Sequence, residues 1–159
     1  MKFYFIYISL FLCAVSCKKE KPDTDIELLK KYMILPVKPE MVKYEITEKK
    51  LRDGSQDCAK LVSVIGILKF SDGDFKRILE DIKRKKENEY EMNLTIDNGL
   101  YKNWYPSNVK ELFSKEENDS QITTIYSGGI FNKENITGGG TVCFITDNKE
   151  MVINVEYCE

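Results

Sequence analysis

Between Leu61 and Leu68 the chain reads Leu-Val-Ser-Val-Ile-Gly-Ile-Leu, with apolar residues at both odd and even positions. Successive side chains of a strand point to opposite faces. Leu61, Ile65 and Ile67 therefore share one face, and Val62, Val64 and Leu68 share the other. A strand of this kind has no face to give to water, so it belongs inside a sheet that is covered on both sides. Gly66, in the middle of the run, marks a bulge or a close neighbour.

The remaining elements follow from periodicity and punctuation. Ile26, Leu29 and Met33 recur at helical spacing behind a cap at Thr24 or Asp25. Val42, Tyr44 and Ile46 alternate with Lys43, Glu45 and Thr47, the pattern of a half-buried strand whose polar face meets water. Ser71, with Asp74 three residues on, opens the main helix, about 72–86, whose apolar stripe is Phe75, Ile78, Leu79 and Ile82. Tyr90 to Ile96 alternates toward the turn Asp97-Asn98-Gly99, and Ser107 is the expected cap of a short helix from Asn108 to Phe113. Ile122 to Tyr126, Thr141 to Thr146 and Met151 to Tyr157 read as strands. If the last hairpin is centred on Asn148-Lys149, Val142 faces Val155, Phe144 faces Ile153 and Cys143 faces Asn154. These elements predict one α+β domain over 26–159: a mainly antiparallel sheet of five or six strands, with one main helix and short helices on one face.

The first seventeen residues lie outside that domain. Lys2 precedes an apolar run from Phe3 to Val15, which is too short to span a bilayer and has the parts of a secretory signal. The run ends in Ala14-Val15-Ser16-Cys17, which resembles the lipobox of bacterial lipoproteins. The resemblance implies cleavage before Cys17, acylation of that cysteine (diacylglycerol and palmitate), and anchorage in the cell envelope, on the outer membrane if the cell is Gram-negative. Residues 1–16 are then the signal peptide, and 17–25, charged and interrupted by Pro22, a flexible tether.

Composition narrows the chemistry. With no histidine in the chain, a Ser-His or Cys-His nucleophile, a histidine base and a histidine metal ligand are all excluded. Loss of Lys2 with the leader leaves 23 basic against 26 acidic residues, so no nucleic-acid footprint is present. No motif calls for a cofactor or metal. Cys13 leaves with the signal; in an oxidising compartment Cys58 and Cys158, at strand ends, are the expected disulfide with Cys143 a buried thiol, and Cys58 with Cys143 is the rival pairing. The three Gly138-Gly139-Gly140 residues lack the lysine and hydroxyl residue of a phosphate loop. Tyr101, Trp104 and Tyr105 are the densest aromatic cluster of the mature chain, which is either a contact platform for a glycan or protein partner or packing of a loop on the sheet. The expected function is a membrane-anchored, non-catalytic binding or inhibitory module. The alternative is a carboxylate-based envelope enzyme acting on glycans, with Asp72, Asp74, Asp97 and Glu111 as candidates.

Overall fold

The structure, a computed structural model, describes residues 21–50, 59–84, 89–94, 99–113, 122–133, 141–146 and 148–158. In chain order these form α1 (Ile26–Leu29), β1 (Met41–Lys50), β2 (Lys60–Lys69), α2 (Asp72–Arg84), β3 (Glu89–Asn93), α3 (Ser107–Lys110), β4 (Ile122–Ser127), β5 (Thr141–Ile145) and β6 (Glu150–Cys158), with a 3₁₀ turn at Gly129–Phe131. The strands lie in the order β1-β2-β6-β5-β4-β3, every neighbouring pair antiparallel.

The expected architecture, a sheet of five or six strands with its helices on one face, is corrected: the helices lie on both faces, and the strands do not form one evenly paired sheet. The continuous body of the sheet is the three-stranded antiparallel unit β1-β2-β6, paired from Met41↔Lys69 to Lys50↔Lys60 and from Leu61↔Cys158 to Lys69↔Glu150. The strands beyond it are joined by shorter ladders, and among the described residues β4 meets β5 only at Tyr126↔Cys143 and Ser127↔Val142. Helices cover both faces. On the first face Leu29 and Met33, from α1 and the turn after it, join Ile78 and Ile82 of α2 against Val42, Tyr44, Val62, Val64, Leu68, Ile153 and Val155. On the second face Leu94, Leu100, Tyr105, Val109 and Phe113 pack against Ile65, Ile67, Ile125 and Val152. The apolar residues of β2 demand this two-sided cover, since neither parity of the strand tolerates water. The first-face core closes over the 3₁₀ turn, where Ile34 N donates to Phe131 O at 2.8 Å and Lys133 Nζ donates to Lys31 O.

Local chemistry sets the element ends. Asp25 caps α1 by accepting from the amides of Glu27 and Leu28. Ser71 Oγ accepts from Asp74 N at 3.2 Å and donates to Asp74 Oδ2 at 3.0 Å, which fixes the start of α2. The main helix is described from Asp72 to Arg84, and its expected end near 86 lies outside the described residues. Ser107 is not a cap: Pro106 holds the N-cap position of α3 with no side-chain hydrogen bond, and Ser107 is already helical.

Gly66 sits in unbroken register opposite Tyr44, so it marks a close neighbour and no bulge. Both hydrogen-bonding groups of Tyr44 face away from β2, its N donating to Asp23 O at 3.0 Å and its O accepting from Asp23 N at 2.8 Å. The Tyr44–Gly66 pair is therefore the non-hydrogen-bonded kind, in which Cα atoms come closest. A Cβ at Gly66 would lie 3.0 Å from Tyr44 Cβ and 3.1 Å from Lys43 O. Asp23, placed in the expected tether, is thus held to the edge of β1, and Tyr44 Oη donates to Asp25 O at 2.8 Å beside it.

The last hairpin is shifted by one residue from the expected register. Thr141 faces Val155, Cys143 faces Ile153 and Phe144 faces Val152, so the facing positions expected for Val142, Phe144 and Cys143 are all corrected. Thr146 N donates to Glu150 O at 2.9 Å, which closes a loop centred on Asn148, and Lys149 takes a φ of 62° in the left-handed region. Odd loops ending in a left-handed residue place the strands one step away from a symmetric even loop.

Candidate functional site

The aromatic segment is positioned by the second-face core. Tyr105 is buried, its ring 4.7 Å from Trp104 in an edge arrangement and 6.1 Å from Phe113. Tyr101 meets Phe113 edge-on at 5.5 Å. Tyr101 and Trp104 are half-buried, each packed against the core by one side. The three residues form one surface layer over the sheet, but not one exposed platform, because the Tyr105 ring belongs to the interior.

A charged pair completes the layer. Trp104 Nε1 donates to Glu45 Oε2 at 3.4 Å, and Lys102 Nζ is 3.1 Å from the same oxygen. Glu45 stands on the face of β1 that the alternation assigned to water; the structure corrects this, for that carboxylate is partly covered by Trp104 and Lys102. Sequence reasoning missed Glu45 because its partners are more than fifty residues away and the strand period alone reads it as solvated. The Tyr105 hydroxyl is buried without a hydrogen-bond partner among the described residues. Burial first, and then the Glu45 charge, push its pKa up. At the far end of the layer Asn108 Nδ2 donates to Glu150 Oε2 at 3.4 Å and ties α3 to β6.

The candidate carboxylates are dispersed. Asp74 is occupied by Ser71 and by Arg77 at 3.1 Å, and Asp72 by Lys149 at 2.7 Å, both at the start of α2 on the first face. Glu111 follows α3 on the second face, where Val109 and Phe113 are buried. Asp72 and Asp74 thus belong to the helix that covers one face and Glu111 follows the helix that covers the other, whereas a glycosidase needs two carboxylates in one cleft about 5 to 9.5 Å apart. Asp97 lies outside the described residues. Among the described residues no group of three or more metal-ligating side chains forms.

Of the sulfur and lipid sites, Cys17 and Cys58 lie outside the described residues. Cys143 is free and fully buried, and burial pushes its thiol up to about 12. Cys158 ends β6 opposite Leu61 at the start of β2. No described helix is long and apolar enough to cross a membrane. Comparison of the chain with protein-family models, with curated proteins and with solved structures gives no match in any of the three.

Proposed function

We propose that this chain is an exported bacterial lipoprotein, anchored through Cys17, whose domain binds an envelope partner and does not transform it. The observation that carries the anchor is the charged start, short apolar run and Ala14-Val15-Ser16-Cys17 exit. Two or more acyl chains give stable membrane attachment, since each buried methylene contributes about 0.8 kcal/mol. The non-catalytic half is supported by the absence of histidine and by the engagement of Asp72 and Asp74 in a cap and ion pairs. The contact surface is the half-buried side of Tyr101 and Trp104 with the Lys102–Glu45 pair, where aromatic bodies and fixed charges are presented on a rigid layer. Tyr105 supports that layer from below.

Replacement of Cys17 by serine, followed by cell fractionation, tests the anchor: the wild type pellets with membrane and the variant leaves it. A variant that pellets like the wild type removes the lipid reading. Trp104→Ala tests the surface in an affinity capture from envelope extract. Loss of the captured partner at an unchanged melting temperature supports a contact role, and a large fall in melting temperature assigns Trp104 to packing alone.

A disulfide between Cys58 and Cys158 belongs to the same reading of an exported chain. The Leu61↔Cys158 pairing brings the end of β6 to within three residues of Cys58 along the chain, and Cys143 is buried away from it. Non-reducing peptide mapping should recover the 58–158 pair, and a bridged Cys143 would overturn it.

A further inference from the structure

On the second face the described cover stops part-way along the central strands. Residues between Leu94 and Phe113 pack on Ile65, Ile67 and Val152, and Trp104 and Lys102 reach Glu45. Glu45, Ile65 and Asn154 stand in one row across β1, β2 and β6. The next row on the same face, away from the aromatic core, is Thr47, Ser63 and Glu156, and spans about 10 Å across three strands. Leu61, one row further along β2, is half-buried and belongs to neither core. A strip of the sheet beside the aromatic layer is therefore polar where a fully covered sheet would be apolar. Its hydrogen-bonding groups are not used up by one another. The single hydroxyl proton of Ser63 lies between Asn154 Oδ1 at 3.5 Å and Glu156 Oε1 at 3.4 Å, so it can serve only one of them, and at long range. Asn154 is 8% exposed, yet its Nδ2 has no hydrogen-bond partner among the described residues. That amide is not sealed in, since Tyr105 Oη is the only fully buried, unpartnered polar side-chain atom among the described residues. Glu156 is half-buried, and its second carboxylate oxygen is likewise open.

We propose that this strip, floored by Thr47, Ser63, Asn154 and Glu156 and bordered by Trp104, is a saccharide-binding site that takes a neutral glycan. The donor and acceptor set selects the ligand. An anionic ligand would meet the carboxylates of Glu45 and Glu156, and a cationic one would leave the Asn154 amide N–H groups directed at a positive charge. A hydroxyl group both donates and accepts, so adjacent hydroxyls of a sugar can give to Glu156 and receive from Asn154 at once. The half-buried Trp104 beside them offers the apolar surface on which the C–H face of a sugar ring rests. The inference rests on the reading of Trp104 as part of a contact surface, and names the class of ligand that surface receives.

The experiment uses the mature chain 17–159 with Cys17→Ser, which contains every described residue. It is titrated with neutral tetrasaccharides of glucose, mannose, galactose and N-acetylglucosamine. Trp104 is the only tryptophan of the chain, so its emission reports on the border of this strip. A saturable change in that emission with at least one of the sugars is expected. Glu156→Ala should weaken the binding about tenfold or more, because a hydrogen bond to a carboxylate is charge-assisted. Lys76→Ala, on the exposed side of α2, should leave it within about twofold of the parent. Asn154→Ala should weaken binding as well; since that side chain is buried and the variant can fail to fold, the half-buried Glu156, whose replacement should keep the parent's melting temperature, carries the decision. Absence of binding by every sugar at about 10 mM overturns the proposal, as does binding that Glu156→Ala leaves unchanged. If the sugars fail while capture from envelope extract still depends on Trp104, the saccharide falls and the contact surface stands.

Discussion

The Tyr105 hydroxyl illustrates how a single buried atom can oppose the packing around it. Its ring belongs to the second-face core and is 3% exposed, but the hydroxyl has no partner among the described residues. Burial of an unpaired hydroxyl costs about 1 to 3 kcal/mol. Tyr105→Phe should therefore leave stability unchanged or raise it by about 1 kcal/mol in urea denaturation. A loss above about 1 kcal/mol would mean that the hydroxyl has a partner. Gly66 predicts the reverse sign. A methyl group there meets Tyr44 Cβ at 3.0 Å and backbone at 3.1 Å, with a strand on each side to resist movement. Gly66→Ala should cost about 1 to 3 kcal/mol, where an open position would show little change. Gly66 was legible in the sequence as a close-approach site, because a glycine inside an apolar strand has few other uses. The Glu45 contact was not, since only the folded chain brings Trp104 over β1.

Among the elements, α2 shows most directly how sequence determines structure. Its cap and its stripe of Phe75, Ile78, Leu79 and Ile82 lie within a dozen residues, so local physics sets both its start and its buried side. Ser71→Ala removes the oxygen that accepts from Asp74 N and should cost about 1 kcal/mol by thermal or urea unfolding. An unchanged midpoint would show that Asp74 caps unaided. Strands β1 and β2 were legible for the same local reason, their periods being plain. The short helix α3 was not: Val109 and Phe113 are four apart and mark a stripe, but four helical residues do not say which face of a sheet they meet. The route of the chain after β3 decides that, and it sends α3 to the face opposite α2. The hairpin register failed at a similarly small step, one left-handed residue at Lys149 moving every facing pair by one position.

For the molecule as a whole, the two cores share β2 and β6, whose successive residues alternate between them. They should melt together. Leu68→Ala on one face and Val109→Ala on the other should each lower a single unfolding midpoint, the first by about 2 to 5 kcal/mol, and separate transitions would contradict this. Three neutral acids in these cores give the fold an alkaline limit. Burial pushes Cys143 up to about 12; burial, and then Asp23 and Asp25, push Tyr44 up to about 12; and Tyr105 is raised as well. Each group ionises earlier in the unfolded chain than in the native one, so the unfolded state binds fewer protons above its own pKa and stability falls as pH rises. Urea midpoints should be flat to about pH 9 and decline from there toward about 12. Cys143→Ala should soften the early part of that decline, and an unaltered curve would exclude the thiol as its source. The Asp23–Tyr44 bridge has a mechanical consequence as well. A pull on Asp23 along β1 acts across the axes of its two hydrogen bonds, so they are loaded in shear rather than unzipped in turn. Tension applied at Asp23 would reach the domain through Tyr44 at the edge of the sheet and be spread along the β1-β2-β6 ladders.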